Sequence, residues 1–270
     1  MEPKIIFEDG DILVLEKPAG WIVNRSDTTK GERTVQDFVE SCLVIPNSFR
    51  DLGSHSSEIL NQASPDQHDT KGLDFANRSG IVHRLDKETS GILIVAKNQE
   101  SFENLQKQFK ERKVQKTYIA LTHGKIEPAT GEINVPVGRL PWNRKRFGIV
   151  ANGRESMTKY KTINNLLASR RSGRSGQLTI NHEPLTLLEL YPKTGRTHQI
   201  RVHLQYIKRP IFSDPLYAGR KTSRNDRKIL PRIFLHASKI SFYHPKSGEL
   251  ISFKSPLPKD LKKFIETLKP

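Results

Sequence analysis

The sequence is poor in the features that mark secreted, disulfide-stabilised or membrane-spanning proteins. Its 270 residues contain a single cysteine, Cys42, which excludes an internal disulfide and a zinc site built from several cysteines. No apolar run approaches the roughly 18 residues that a membrane-spanning helix needs. The N-terminus has no basic segment followed by a long apolar stretch, so we expect no secretory signal. Together these absences predict a cytoplasmic protein.

Acidic residues are also few relative to basic ones. The chain carries 45 Lys and Arg against 29 Asp and Glu, which gives a net charge of +16 and an isoelectric point near 9.9. An excess of this size creates a field that attracts polyanions and is typical of nucleic-acid-binding domains. The charge therefore favours a nucleic-acid partner, and generic solubility is the alternative explanation.

The apolar pattern predicts an α+β fold. Short apolar runs bounded by turn residues predict strands at 12–15, 92–96, 116–121 and 186–190. Apolar residues at helical spacing predict helices that follow Thr34 and Asn98 as N-caps, a helix within 197–207, and a C-terminal helix around 261–268. Strands predominate without regular βαβ alternation. This favours a mixed, mainly antiparallel sheet with flanking helices over a Rossmann-type fold.

No shift in composition requires two domains, so we predict a single domain over residues 1–270. Residues 47–79 are polar and rich in Ser, Asn, Asp and Gly, which predicts a long surface loop or a partly disordered insertion. Two basic segments, 170–176 and 220–232, are predicted to be loops, and a basic cluster occupies 143–146.

The segment that carries the most chemistry lies at 81–91, just before the strand at 92–96. It contains His83, Arg84 and Asp86, and a Thr-Ser-Gly sequence that predicts a tight turn at Thr89–Gly91. Polar loops at the edge of a rigid sheet often hold catalytic groups. Asp86 could act as a nucleophile or a general base beside the cation Arg84. The alternative is that these side chains only bond the backbone of the turn.

The run His83-Arg84-Leu85-Asp86, with Thr89-Ser90-Gly91, resembles the signature loop of the RluA-type family of RNA pseudouridine synthases. Further segments resemble the same family in the same order and extend the resemblance over roughly residues 5–265: 11–20 with its Lys-Pro-Ala-Gly turn, 116–120, 194–203, 235–237 and 242–245. Two departures are evident. We expect no N-terminal S4 domain, because the first core strand is predicted close to the start of the sequence, and residues 213–218 read Ser-Asp-Pro-Leu-Tyr-Ala where the family has Gly-Asp-x-x-Tyr-Gly.

The resemblance implies a reaction that breaks the C1′–N1 glycosidic bond of a uridine in RNA and rejoins C1′ to C5, without a cofactor or a metal. Asp86 would be the essential carboxylate, as a nucleophile on the sugar or as the base that forms a glycal. Arg201 would pair with Asp86 and favour its charged form. Tyr118 would stack on the target base and help to remove the C5 proton.

The resemblance also implies how RNA is bound. Arg84 would fill the space left by the extruded uridine or contact it, and Ile200 would form an apolar wall beside the base. Further RNA contacts are expected from Lys116, Arg196 and His198 and, by their charge, from Arg144, Lys145 and Arg146. The basic groups at 170–174 and 220–224 are expected to bind phosphates. The partner would be structured RNA, rRNA or tRNA, with no membrane and no obligate protein partner.

Three other classes of protein share single features with this sequence. The His-Arg-x-Asp sequence differs from the kinase loop, and no Gly-rich phosphate loop or Asp-Phe-Gly accompanies it. A histidine metalloenzyme would need a pattern such as His-Glu-x-x-His, whereas His198 and His203 are five apart. A non-catalytic RNA-binding protein is the serious alternative, and the combination of Asp86, Tyr118 and Arg201 argues against it.

Overall fold

The computed structural model describes residues 1–26, 29, 31–42, 74–167 and 184–268. The chain divides into two compact units. The first comprises residues 1–87, 91–114 and 242–251, and the second comprises 88–90, 115–241 and 252–270. Each unit is described by itself, and the single domain over 1–270 stays a prediction. The predicted basic loop at 170–176 and most of the polar segment 47–79 lie outside the described residues.

The first unit is built on three antiparallel strands. β2 (Ile12–Lys17) lies between β1 (Lys4–Glu8) and β3 (Ser90–Ala96), whose residues 91–96 belong to this unit. The apolar runs that predicted β2 and β3 are buried, with Ile12 and Leu15 fully inaccessible to solvent. A continuous apolar run is what a strand covered on both faces requires.

Two helices of the first unit confirm the capping chemistry predicted from the sequence. α1 (Val35–Cys42) follows Thr34, whose hydroxyl accepts from the N–H of Asp37 while the Asp37 carboxylate accepts from the N–H of Thr34. α2 (Gln99–Lys110) follows Asn98, whose side chain accepts from the N–H three residues on.

The polar segment predicted as a loop does not stay irregular to its end. Residues 74–78 are helical, and Phe75 is buried against Phe102 of α2 with 5.5 Å between ring centroids. One aromatic residue in a polar sequence gives no periodicity, which is why the pattern did not predict this short helix.

The second unit contains an antiparallel sheet in the strand order β10-β4-β9-β8-β5, and β11 pairs with β10. A separate antiparallel hairpin is formed by β6 and β7. The strands of this unit are β4 (Gln115–His123), β5 (Thr130–Asn134), β6 (Val137–Leu140), β7 (Asn143–Ile149), β8 (Met157–Leu167), β9 (Pro184–Pro192), β10 (Leu235–Tyr243) and β11 (Leu250–Lys254), except that residues 242–243 of β10 and 250–251 of β11 belong to the first unit. The predicted α+β fold with a mainly antiparallel sheet is confirmed.

Helices α3 (Gln199–Tyr206) and α5 (Lys259–Glu266) contribute apolar side chains to the core of the second unit. Leu204 of α3 is fully buried, and Phe264 of α5 stacks on Phe212 at 4.9 Å between centroids. The predictions of a helix within 197–207 and of a C-terminal helix are confirmed. In the described part of the chain, no helix combines the length and apolarity needed to cross a membrane.

One prediction was wrong in part. The basic segment 220–232 was expected to be a loop, but residues Arg220–Asp226 form helix α4. The inward side of α4 is polar, because buried Asp226 accepts from the N–H of Ser213 at 3.1 Å and bonds His123 at 2.8 Å. A helix that buries polar groups lacks the apolar periodicity from which helices are predicted.

Candidate active site

The first half of the signature loop, His83 to Lys87, belongs to the first unit. Asp86 is half-buried and Arg84 is exposed. The Nε2 atom of His83 accepts from the backbone N–H of Ile94 at 2.9 Å, and its ring lies 5.0 Å from that of Phe109. His83 therefore ties the loop to β3 and serves the structure of the loop.

A buried lysine holds the residue that follows Asp86. Lys17, which is fully buried, donates through Nζ to the carbonyl oxygens of Pro18 at 3.1 Å, Trp21 at 2.8 Å and Lys87 at 3.0 Å. The Lys87 carbonyl also accepts from the N–H of Gly20 at 2.8 Å, and Gly20 has a φ of 93° that favours glycine. The sequence predicted only a turn here, although a lysine that ends a buried strand was a signal for an internal role.

The second half of the loop is anchored within the second unit. Glu88 makes a bidentate ion pair with Arg227, at 2.8 and 2.9 Å, and accepts from the N–H of Ile233 at 3.1 Å. Burial opposes the charge of Glu88, but the bonds from Arg227 outweigh it, so the pKa of Glu88 lies below its ordinary value. Arg227, placed by sequence in a basic loop, is thus an internal partner.

Ser90 corrects the predicted Thr-Ser-Gly turn. The turn lies at Lys87–Glu88, and Ser90 already begins β3. The buried Ser90 hydroxyl accepts from Nη2 of Arg232 at 2.7 Å and bonds Nδ1 of His236 at 2.9 Å, while Nε2 of His236 donates to the Ser255 carbonyl at 3.0 Å. Because the Ser90 hydroxyl bonds residues that are distant in sequence and internal to the unit, Ser90 lies in the strand. The turn therefore falls before Ser90, at Lys87–Glu88.

Arg201 lies on α3 and is buried, with 7% of its surface exposed. Its Nε and Nη2 atoms donate to the carboxylate of Asp214 at 2.8 and 2.9 Å. Asp214 is fully buried, and its Oδ1 also accepts from the N–H groups of Leu216 and Tyr217. The sequence identified Arg201 but missed Asp214, which was noted only as part of a departure from the family pattern.

Tyr217 is a second residue that the sequence did not assign. Its hydroxyl accepts from the N–H of Phe147 at 3.1 Å and bonds Nδ1 of His198 at 2.9 Å. The guanidinium carbons of Arg201 and Arg146 lie 5.0 and 5.3 Å from its ring centroid, within the range of cation–π attraction. Burial raises the pKa of Tyr217, which keeps the hydroxyl protonated. Tyr217 thus connects the β6–β7 hairpin to the N-terminal turn of α3.

The turn before α3 is organised by Gln199, which is buried. Its Oε1 accepts from the Thr194 hydroxyl at 2.6 Å and from the N–H of Arg196 at 3.0 Å. Its Nε2 donates to the carbonyl of Met157 and to the hydroxyl of Thr158, both at 3.0 Å. This single amide joins the turn to β8 and sets where α3 begins.

Lys116 holds the same turn from β4. Its Nζ donates to the Thr194 carbonyl at 3.1 Å. The residue as a whole is half-buried, and burial around the ammonium group lowers the pKa of Lys116 to about 8. Lys116 was expected to contact RNA, and that role stays a prediction. In the structure it also has a structural role, because it bonds the Thr194 carbonyl.

The other residues of the second unit that were predicted to bind the uridine or the RNA differ in burial and in their contacts. Tyr118 is half-buried on β4 and packs against the hydrophobic core of the unit, to which Ile200 belongs. His198 precedes α3 with a left-handed φ of 57°. Arg196 donates through Nε to the Glu155 carbonyl at 3.4 Å. The expected pairing of Asp86 with Arg201 joins residues of different units and stays a prediction.

Of the basic cluster at 144–146, the structure describes only the side chain of Arg146. Arg146 is directed inward, where Nη2 donates to the Leu216 carbonyl. The side chains of Arg144 and Lys145 lie outside what the structure describes. On α4, a third expected group of RNA contacts is exposed: Arg220, Lys221 and Arg224.

One group of residues has the spacing of a metal site. Ligand atoms of Asp9, Asp11 and His244 in the first unit lie within 4.8 Å of one another. However, Nδ1 of His244 accepts from the N–H groups of Lys246 and Ser247, so its Nε2 carries the proton and donates to Asp9 at 2.9 Å. Both ring nitrogens of His244 are thereby used in hydrogen bonds, and the group stabilises the turn at 244–247.

Comparison with known proteins agrees with the resemblance seen in the sequence. A family model described as RNA pseudouridylate synthase matches residues 11–206. The chain is 35% identical to ribosomal large subunit pseudouridine synthase D of Nitrosomonas europaea, over 98% of this chain and 65% of that protein. It is 34% identical to the protein of the same name from Buchnera aphidicola, over 97% of this chain and 72% of that one.

A solved structure extends the likeness to three dimensions. Human RNA Pseudouridylate Synthase Domain Containing 1 matches with a TM-score of 0.66 and 25% identity, over 99% of this chain and 88% of that chain. The chain spans about two thirds of the length of the Nitrosomonas relative, at 65%. From the extent of the family match and the identity to these relatives, the chain belongs to the family of RNA pseudouridine synthases.

Proposed function

We propose that this protein isomerises specific uridines in structured RNA to pseudouridine, with Asp86 as the essential carboxylate. The observation that carries the proposal is the family match over residues 11–206, which contains Asp86, Tyr118 and Arg201. Two relatives are named for the large ribosomal subunit. This favours rRNA over tRNA as the substrate.

The reaction conserves every atom of the uridine. The C1′–N1 bond breaks, the uracil turns within the site, C5 bonds to C1′, and the C5 proton leaves as N1 gains one. No oxidant, reductant or energy donor is needed. Asp86 either attacks C1′ as a nucleophile or removes the C2′ proton to form a glycal, and both routes require its ionised form.

Arg201 is proposed to keep Asp86 ionised. Its Nε and Nη2 edge is occupied by Asp214, which fixes the plane of the guanidinium. The pairing with Asp86 is proposed to use the same guanidinium. A guanidinium stays protonated at all relevant pH values, so it is a constant source of positive charge for the carboxylate. Chain connectivity supports this assignment, because Asp86 precedes the anchored Glu88 by two residues.

Tyr118 and Arg84 are proposed to hold the extruded uridine. Moving a base out of its stack costs a few kcal/mol, and stacking on an aromatic side chain returns roughly 1–3 kcal/mol. Tyr118 would stack on the uracil, help to remove the C5 proton and keep the ring in place while it turns. The exposed, planar guanidinium of Arg84 would fill the vacated space, and Ile200 would form an apolar wall.

The remaining contacts are proposed to be with the RNA backbone. Lys116, Arg196 and His198 lie on or beside the turn before α3, and the net charge of +16 attracts the RNA to the protein. Arg144, Lys145 and Arg146 supply further charge on the hairpin. Arg146 contributes to the field of the site while it is bonded to the Leu216 carbonyl.

The proposal is tested by replacing Asp86 with its neutral isostere. We expect Asp86→Asn to abolish pseudouridine formation in large-subunit rRNA transcripts while RNA affinity and the unfolding midpoint stay close to those of the wild type. Glu100→Gln, an exposed change on α2, is the matched control and should retain full activity.

Mapping in cells identifies the target. Mass-resolved mapping of pseudouridine in rRNA and tRNA should reveal at least one site that is lost with the gene and restored by the wild type but not by Asp86→Asn. If purified wild-type protein binds rRNA and forms no pseudouridine, and the two maps agree at every site, the non-catalytic alternative is correct.

A further inference from the structure

The tip of the β6–β7 hairpin presents a tryptophan to solvent. Leu140 pairs with Asn143, so Pro141 and Trp142 form a two-residue connection between the strands. Trp142 is 79% exposed, and among the described residues no large apolar side chain except Met1 is more exposed. An indole is the largest apolar side chain, and at this turn it offers a flat face that a partner could cover.

The exposure of Trp142 does not come from a loose hairpin. Val137 at the start of β6 is buried, and the N–H of Phe147 is bonded to the Tyr217 hydroxyl at 3.1 Å. The strands are also in close contact across Gly148, where a Cβ atom would lie 2.7 Å from Cδ2 of Leu140. The base of the hairpin is therefore held by tertiary contacts, and Trp142 is exposed at the tip of a well-packed hairpin.

The sequence on either side of Trp142 carries charge of one sign. Between Glu132 and Glu155 the sequence contains no acidic residue and five basic ones: Arg139, Arg144, Lys145, Arg146 and Arg154. Arg139 is exposed, and its guanidinium carbon lies 5.0 Å from the ring centroid of Phe147. A partner for this tip must offer a flat apolar face together with negative charge.

We propose that Trp142 stacks on an unpaired base of the substrate RNA, outside the pocket for the reacting uridine, while Arg139 contacts an adjoining phosphate. Nucleobases provide the flat face and phosphates provide the charge, and such combinations bind single strands with little sequence preference. Trp142 is followed by Asn143 and by the basic residues 144–146, so its indole offers only a small apolar surface for insertion into lipid. This inference rests on the proposed function and adds that the substrate carries an unpaired nucleotide, as in a loop or bulge, at the hairpin.

A fluorescence titration tests the contact directly. The chain has two tryptophans, so Trp21→Phe leaves Trp142 as the only indole. We expect a short unstructured RNA to quench the emission of Trp142 and a blunt RNA duplex of equal length to leave it largely unchanged. Emission that stays constant while anisotropy of the labelled RNA shows saturation would overturn the stacking. So would a shift seen only with anionic phospholipid vesicles, which would mark a membrane contact.

Kinetics with an rRNA fragment separate this inference from the proposed function. We expect Trp142→Ala to raise the Kd and the KM about tenfold, equivalent to about 1.4 kcal/mol, and Trp142→Phe to restore most of the loss. Tyr206→Ala, which removes another exposed aromatic, is the control and should change neither constant. If the wild type forms pseudouridine and Trp142→Ala has unchanged Kd and KM, the stacking fails alone. If the wild type binds the fragment without forming pseudouridine, the proposed function fails, and the titration still decides the stacking.

Discussion

At the scale of single residues, the molecule fixes charged groups by burying them with matched partners. Arg201 is held by the carboxylate of Asp214, and Lys17 is held by three backbone carbonyls. A charge taken out of water without such partners costs several kcal/mol, so each cation has one favourable orientation. Fixed orientation is what a group that positions a catalytic carboxylate requires.

The pair of Arg201 and Asp214 leads to a prediction. Asp214→Asn keeps the size of the side chain but leaves the buried guanidinium without its negative partner. We expect the free energy of unfolding to fall by about 3–5 kcal/mol, as when one member of a buried ion pair is removed. Under conditions in which the variant remains folded, the single-turnover rate should fall while RNA affinity changes little. Denaturant unfolding and quenched-flow assays measure the two effects.

The control for this prediction is another aspartate paired with an arginine. Asp260 is half-exposed and lies 3.4 Å from Arg232, whose guanidinium also donates to the Ser90 hydroxyl and the Leu235 carbonyl, so the loss of Asp260 leaves Arg232 with partners. Asp260→Asn should therefore leave stability and rate nearly unchanged. Equal stability of the two variants would mean that Asp214 does not hold Arg201.

At the scale of elements, the turn before α3 is joined to β8 by Gln199 and to β4 by Lys116. These bonds place the start of the helix that carries Arg201. The β6–β7 hairpin reaches the same turn through the Tyr217 hydroxyl and His198. Three elements that lie well before α3 in the sequence therefore determine the position of this short helix.

Lys116 predicts a pH dependence of stability. Its pKa in the folded protein is about 8, below the ordinary value of 10.5, because burial disfavours the charged form. Between these two pH values the unfolded chain binds a proton that the folded chain has lost, so stability rises with pH across this window. Below about pH 8 both states are protonated and the unfavourable effect of burying the charge is fully present.

We expect the contribution of Lys116 to appear as a difference between two unfolding curves. Free energies of unfolding measured from pH 7 to 10.5 should rise less for Lys116→Met than for the wild type. Lys113→Met, which removes an exposed lysine, should follow the wild type. Parallel curves for Lys116→Met and the wild type would show that Lys116 has an ordinary pKa.

At the scale of the whole molecule, the net charge of +16 dominates the approach of RNA. Each phosphate neutralised by a cation contributes roughly 0.7–0.9 to the slope of log affinity against log salt concentration. The exposed cations of α4 are the best described group for such contacts: Arg220, Lys221 and Arg224.

Replacing these three residues by Gln should weaken RNA binding and reduce the salt slope by roughly two units. The matched control replaces three exposed cations of α5, Lys259, Lys262 and Lys263, and should change the slope much less. Filter binding at several salt concentrations measures both. Equal changes in the two variants would indicate attraction by net charge alone, without phosphate contacts on α4.

The sequence by itself determined four of the strands, β2, β3, β4 and β9, as well as the capped helices, the excess of positive charge and the family. The strands and helices follow from local chemistry, since apolar spacing and capping groups act within a few residues of one another. The motifs also point to Arg201 and Asp86, whose roles stay predictions. Even the error at the Thr-Ser-Gly turn was small, because β3 begins only two residues before the predicted apolar run.

Only the tertiary structure decided which polar side chains are internal. Glu88 and Arg227 are 139 residues apart, and Arg227 looked like part of a basic surface loop. The pairing of Asp214 with Arg201, the burial of Lys17 and the polar inner side of α4 were hidden for the same reason. A charged residue has the same local pattern whether it faces water or a buried partner, and the partner is supplied by a distant part of the chain.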